Sequence, residues 1–198
     1  MSNSPLAWLP ARSRVRILIA LCLAVAIAIA LAFLIGGAGG PASPASNETP
    51  VGIGFTRLNA AAPQFDLPLL QQKGQVELSK LAGLPIVLNL WASYCDICRE
   101  ESPAIAKVSR EVGGKVRFLG IDTLDQRAAA IKFVQRYQLP FPIAYDSAGI
   151  VANKYRVPGL PVTFFISTTG TRILGVNIGA LTAQRLVHIL RQLYRVSA

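Results

Sequence analysis

The chain has 198 residues, a formal net charge of +10 and 52% hydrophobic residues, enough for one globular domain plus additional segments. Three cysteines and one histidine could supply one four-ligand zinc site only if all four met. With Cys22 in an apolar N-terminal run and His188 near the far end of the chain, no zinc site is expected. The basic residues are not clustered: Lys107, Arg110, Lys115 and Arg117 are close in sequence but flank a turn. With no nucleic-acid motif and no aromatic–basic interleaving, no nucleic-acid partner is expected.

Residues 1–16 form a basic N-terminus containing Arg12, Arg14 and Arg16. Residues 17–35 follow with no charge and no proline. At 1.5 Å rise per residue this run spans ~28 Å, close to the ~30 Å hydrocarbon core of a bilayer. No Lys or Arg appears again until Arg57. The positive-inside rule therefore predicts a cytoplasmic N-terminus and an extracytoplasmic remainder. A cleaved signal peptide has an apolar core of ~7–15 residues, shorter than this one, so an uncleaved anchor is expected. Cys22 lies early in the run and suits a small apolar packing residue. Residues 36–55, rich in Gly, Pro, Ala and Ser as far as Pro50, suit a flexible linker. Residues 56–198 then form the folded domain.

Ala62–Leu70 and Gly74–Glu77 predict a short hairpin turning at Lys73-Gly74. Leu78–Leu81 suits a short helical turn. Ile86–Trp91 is a continuous apolar run broken only by Asn89 and predicts a buried strand. A helix over Cys95–Val112 follows, stopped by Gly113-Gly114. Val116–Ile121 predicts a second strand. Asp125 can cap a helix over Gln126–Tyr137 with Ala130, Ile131, Val134 and Tyr137 on one face. Phe141–Tyr145 predicts a short strand and Gly149–Tyr155 a short helix. Strands over Val162–Ser167 and Arg172–Asn177 are joined by Thr168-Thr169-Gly170. Thr182 can cap a last helix running to Tyr194, on which His188 suits a surface or boundary position. Strands joined through helices, then a hairpin, predict an α/β fold with a mixed central sheet covered on both sides.

The chemistry concentrates at Cys95-Asp96-Ile97-Cys98. A buried strand delivers two cysteines to the first turn of a helix. Unpaired amide donors and the positive end of the helix dipole favour a thiolate there. The thiolate is the nucleophile of disulfide exchange, and two intervening residues keep the second sulfur within reach. A structural disulfide is the alternative, but so small a loop removes little chain entropy.

Downstream, Val157-Pro158-Gly159-Leu160-Pro161 leads into the strand at Val162. Here the sequence resembles the thioredoxin superfamily, in which a cis-proline precedes this strand and lies against the Cys-x-x-C; Pro161 matches that position. Trp91, four residues before Cys95, and Pro103, five after Cys98, also match. Asn89 stands where thioredoxin buries an aspartate. The pattern Cys95-x-x-Cys98-x-x-Glu101-x-Pro103 resembles the membrane-anchored TlpA, ResA and CcmG branch, where the glutamate is implicated in active-site chemistry. A carboxylate one helical turn past Cys98 can accept or donate the moving proton.

The resemblance implies a thioredoxin-like fold with an N-terminal hairpin extension and a thiol-disulfide oxidoreductase activity that needs no cofactor. It implies Cys95, Cys98 and Glu101 as catalytic residues, and Trp91, Leu160 and Pro161 as substrate-binding residues. Its expected partners are a protein bearing a disulfide or dithiol, as in apocytochrome c or copper-site assembly, and a membrane electron donor of the CcdA or DsbD type. A disulfide oxidase or isomerase of the DsbA or DsbC type shares the cysteines and cis-proline. A peroxiredoxin-like peroxidase would place Pro and Thr where Ala92, Ser93 and Tyr94 stand. A Cu(I) chaperone would use the two thiolates as soft ligands.

Overall fold

The computed structural model describes Leu21, residues 23–28 and residues 54–196. The chain divides into two units, Met1–Glu48 and Thr49–Ala198. In the first, Leu21 and residues 23–28 are helical. The expected basic N-terminus, the rest of the 17–35 run and the linker as far as residue 53 lie outside the described residues. Among the described residues no helix is long and apolar enough to cross a membrane.

Among its described residues the second unit carries eight strands and four α-helices. In chain order they are β1 (Gly54–Ala61), β2 (Asp66–Pro68), β3 (Gln75–Glu77), β4 (Ile86–Trp91), α1 (Asp96–Glu111), β5 (Arg117–Thr123), α2 (Arg127–Tyr137), β6 (Ile143–Asp146), α3 (Ile150–Lys154), β7 (Val162–Ile166), β8 (Arg172–Ile178) and α4 (Ala183–Tyr194). A short 3-10 turn covers Leu78–Leu81. Six strands form one mixed sheet in the order β1-β8-β7-β4-β5-β6, and β2 pairs with β3 as the expected hairpin.

β4 is central because both of its faces are apolar. All six of its residues are buried. Ile86, Leu88 and Leu90 face a core containing Phe65, Leu67, Leu78, Val151 and Tyr155. Val87 faces the opposite core, where Ile105 and Val108 of α1 meet Leu186, Ile189 and Leu190 of α4. Helix α1 obeys the same logic: its buried residues Cys98, Glu101, Ser102, Ile105 and Val108 recur every three or four positions, the spacing of one helix face. Pro103 sits inside it and removes the N–H that would bond the Arg99 carbonyl. The expected cap at Thr182 is present, accepting from Arg185 N at 3.2 Å.

Two expectations need correction. β1 begins inside the segment assigned to the linker and pairs antiparallel with β8. Its sequence lacks clean alternation, and its register shifts between Arg57 and Ala60; the strand is held by its partner, not by its own pattern. Asp125 does not cap α2. The N-cap is Gln126, with no side-chain hydrogen bond; Asp125 Oδ1 accepts from the adjacent Gln126 N, and its Oδ2 accepts from Ser93 N of the Cys-x-x-C loop.

Candidate active site

The loop Ala92–Tyr94 leaves the carboxyl end of β4 and enters α1 at Cys95, its N-cap. Cys95 and Cys98 form a disulfide with Cα atoms 5.2 Å apart. Cys98 N donates to Cys95 Sγ at 3.1 Å, so a backbone donor of the first helical turn points at the outer sulfur. The two cysteines differ in access: Cys95 is half-buried, whereas Cys98 is fully buried. Tyr94 and Ile97 flank the pair and are 57% and 48% exposed, giving it an apolar rim.

The loop is held from two sides. Arg99 donates to the Ser93 carbonyl from Nε at 3.1 Å and from Nη2 at 2.8 Å. The Ser93 N–H donates to Asp125 Oδ2. Beneath Asp125 lies Asp122, at the end of β5 and with no solvent exposure. Among the described residues neither of its carboxyl oxygens finds a partner by donor–acceptor geometry. Burial first, then the neighbouring charges of Asp125 and Asp146, push Asp122 up to about 8. Its protonated form is thereby favoured at neutral pH, since a buried carboxylate beside Asp125 is disfavoured.

The inner side of the site is polar and closed. Glu101 is 2% exposed. Its Oε1 accepts from Asn89 Nδ2 at 2.9 Å and its Oε2 from Leu181 N at 3.0 Å. Asn89 Nδ2 also donates to Thr163 Oγ1 at 3.0 Å. The β4–β7 register sets Asn89 opposite Thr163. Burial pushes the Glu101 carboxyl up to about 7, against the lowering effect of the Asn89 and Leu181 donors. A carboxyl that titrates near neutrality can both take and give a proton there.

Pro161 precedes β7 through a cis Leu160–Pro161 peptide. Leu160 is half-buried and packs on both the cluster containing Cys98 and that containing Val162. Cys95, Cys98, Glu101, Leu160 and Pro161 therefore converge at one end of the sheet. Trp91 differs from its expected place on the substrate surface. It is 1% exposed and lies in the cluster beneath Cys98, stacked on Phe133 with ring centroids 4.3 Å apart. It supports the site from below because α2 covers that face.

Phe133, Asp122, Ser93 and Arg99 complete the site without being singled out by the sequence. Phe133 was open to detection: Ala130, Phe133, Val134 and Tyr137 follow helical spacing. The roles of Asp122 and Arg99 depend on contacts that no local pattern reveals.

The fold is thioredoxin-like. With a disulfide at the start of its first helix and a proline loop on the neighbouring strand, it defines a thiol-disulfide oxidoreductase. The chain belongs to the AhpC/TSA family, whose profile matches residues 58–171. It is similar to the thiol-disulfide oxidoreductase ResA of Oceanobacillus iheyensis, with 33% identity over 66% of this chain and 69% of that one. Similarity to the thiol:disulfide interchange protein DsbE of Allochromatium vinosum is 34% identity over 62% of this chain and 67% of the relative. Among solved structures, a secreted Mycobacterium tuberculosis disulfide oxidoreductase homologous to E. coli DsbE superposes with a TM-score of 0.60 at 28% identity. That match covers 66% of this chain and 96% of the other.

Proposed function

We propose that this oxidoreductase is tethered to the cytoplasmic membrane through residues 17–35 and reduces specific protein disulfides on the extracytoplasmic side. The Cys95 thiolate attacks a substrate disulfide, forming a mixed disulfide and releasing one substrate thiolate. The Cys98 thiolate then attacks Cys95 Sγ, closes the intramolecular disulfide and releases the second thiolate. Two electrons leave the protein dithiol, and two protons follow to the substrate. Glu101 takes the proton of Cys98 as that sulfur becomes a nucleophile. Leu160 and Pro161 hold the extended substrate backbone beside Cys95. Substrates in cytochrome c maturation or copper-site assembly fit this chemistry, as does a membrane donor of the CcdA or DsbD type that returns two electrons.

The observation that carries the reading is the asymmetry of the pair. One sulfur is reachable at the rim, and the other is buried beside a carboxyl that titrates near neutrality. The test uses the full chain in a Cys22→Ser background. Cys98→Ser should trap mixed disulfides with partner proteins, and Cys95→Ser should not. A membrane-impermeant thiol reagent should label reduced Cys95 in intact spheroplasts. The reverse trapping pattern would overturn the roles, and protection until lysis would overturn the topology.

A further inference from the structure

Beside the redox pair, a cleft of about 460 Å³ runs between α1 and α2. Its wall carries Arg99, Lys132 and Arg136, and none of the described residues lining it is a carboxylate. Its floor is aromatic, made by Phe133 and Tyr137, whose ring centroids lie 4.6 Å apart. Ser93, two residues before Cys95, closes one end. Arg99 is partly neutralised by Asp96 at 2.6 Å. Lys132 and Arg136 are exposed; Arg136 lies over the Tyr137 ring at 5.9 Å.

We infer that this cleft is a docking groove for an acidic segment of the polypeptide whose disulfide reacts at Cys95. The inference rests on the reading of Cys95 as the attacking sulfur. Two observations choose the occupant. Two exposed cations, Lys132 and Arg136, with no carboxylate among the described lining residues, call for an anionic partner. The groove is also continuous with the rim at Ser93, so a chain held at Cys95 and Pro161 extends into it without a second docking event. The aromatic floor adds apolar contact for the stems of Glu side chains. Phe133 also stacks on Trp91 beneath Cys98, so an occupied groove presses on the packing under the reactive pair. Charge on such a groove acts chiefly on association rate and on discrimination between partners.

The test compares two synthetic peptides with the same intramolecular disulfide, one flanked by three glutamates and one by three lysines. Each is reduced by the full chain with Cys95 and Cys98 in the dithiol form, and hydroxyethyl disulfide, which carries no charge, serves as the unflanked control. The acidic peptide should react about fivefold faster at low salt, the scale of two or three screened surface pairs. That preference should fade as salt rises to several hundred millimolar. Lys132→Glu with Arg136→Glu should abolish or reverse the preference and leave the hydroxyethyl disulfide rate unchanged. Equal rates for both peptides, with normal reduction of hydroxyethyl disulfide, would overturn the groove and leave the exchange chemistry standing. Failure on all three disulfides would instead overturn the exchange reading. If the double variant loses binding to phosphatidylglycerol vesicles while peptide preference persists, the groove is a lipid contact and the inference falls.

Discussion

Replacing Glu101 by glutamine separates the stability of the site from its chemistry, because the two should move in opposite directions. Both carboxylate oxygens of Glu101 accept from N–H groups, one from Asn89 and one from Leu181. Glutamine has one acceptor oxygen, so its amide nitrogen must face one of those donors. The protonated acid has the same defect, since its hydroxyl must face one of them too. Glutamine therefore imitates neutral Glu101. The folded carboxyl titrates at about 7, raised from 4.5 mainly by burial. A raised pKa contributes stability that is fully present below 4.5 and lost as pH rises through about 7, because the folded state then holds the extra proton. At 1.36 kcal/mol per unit the loss is about 3 kcal/mol.

Wild-type oxidised protein should therefore lose about 3 kcal/mol from this group between pH 4.5 and 8. Glu101→Gln should match wild type at low pH, lack this component, and equal or exceed wild-type stability at pH 8. Its disulfide exchange should nevertheless be slower, and the step near pH 7 in the rate profile should vanish. Urea midpoints across this range, with stopped-flow exchange on the same samples, read both quantities. Glu100→Gln is the control, since Glu100 is exposed. If the midpoints of Glu101→Gln and wild type fall in parallel and their rate profiles superimpose, Glu101 is not the group that titrates, and solvent alone carries the proton.

Asp122 gives a second pH signature. Its folded value of about 8, against 3.8 for an ordinary aspartate, means stability present at acid pH is lost as pH rises through about 8. Asp122→Asn keeps the shape, removes the titrating group and should flatten that alkaline loss; an unchanged urea-midpoint profile would refute the assignment. Gly120→Ala places a methyl 2.5 Å from Ile143 Cδ1 and 2.9 Å from Trp91 Nε1. Overpacking of this kind costs about 1–3 kcal/mol, read as a lower thermal midpoint, with altered tryptophan emission as Trp91 shifts. Retention of both would mean that β5 and the indole relax freely.

The parts of the fold legible in the sequence are those whose burial is written locally. Ile86–Trp91 shows its two buried faces as an unbroken apolar run, and α1 shows its single face by spacing. Glu101 was reachable because three residues along a helix from Cys98 is a local relation. β1 was not legible, since its pairing with β8 spans most of the domain. The second ligand of Glu101 was equally hidden, because Leu181 N lies 80 residues away. Asp125 illustrates the commoner confusion: an aspartate before a helix suits a cap, and the competing donor at Ser93 lies 32 residues upstream. Phe133 could have been found, since it completes the stripe of Ala130, Val134 and Tyr137, but that does not reveal its stacking on Trp91.

Asn89 at the centre of β4 has a consequence beyond the absence of a strand carboxylate. An aspartate there would place a second negative charge against Glu101, and the two buried acids could not both ionise. Asparagine instead offers two N–H donors, and both are used, one on Glu101 and one on Thr163. The single carboxylate is thereby fixed from the strand on one oxygen. The other oxygen is fixed from the segment leading into α4. Charge on Glu101 thus strengthens the tie of β4 to Leu181, and protonation weakens one end of it. A proton arriving from Cys98 would be felt at the start of α4 as well as at the sulfur. The amide of Leu181 is therefore the position at which hydrogen exchange should change most between the ionised and neutral forms of Glu101.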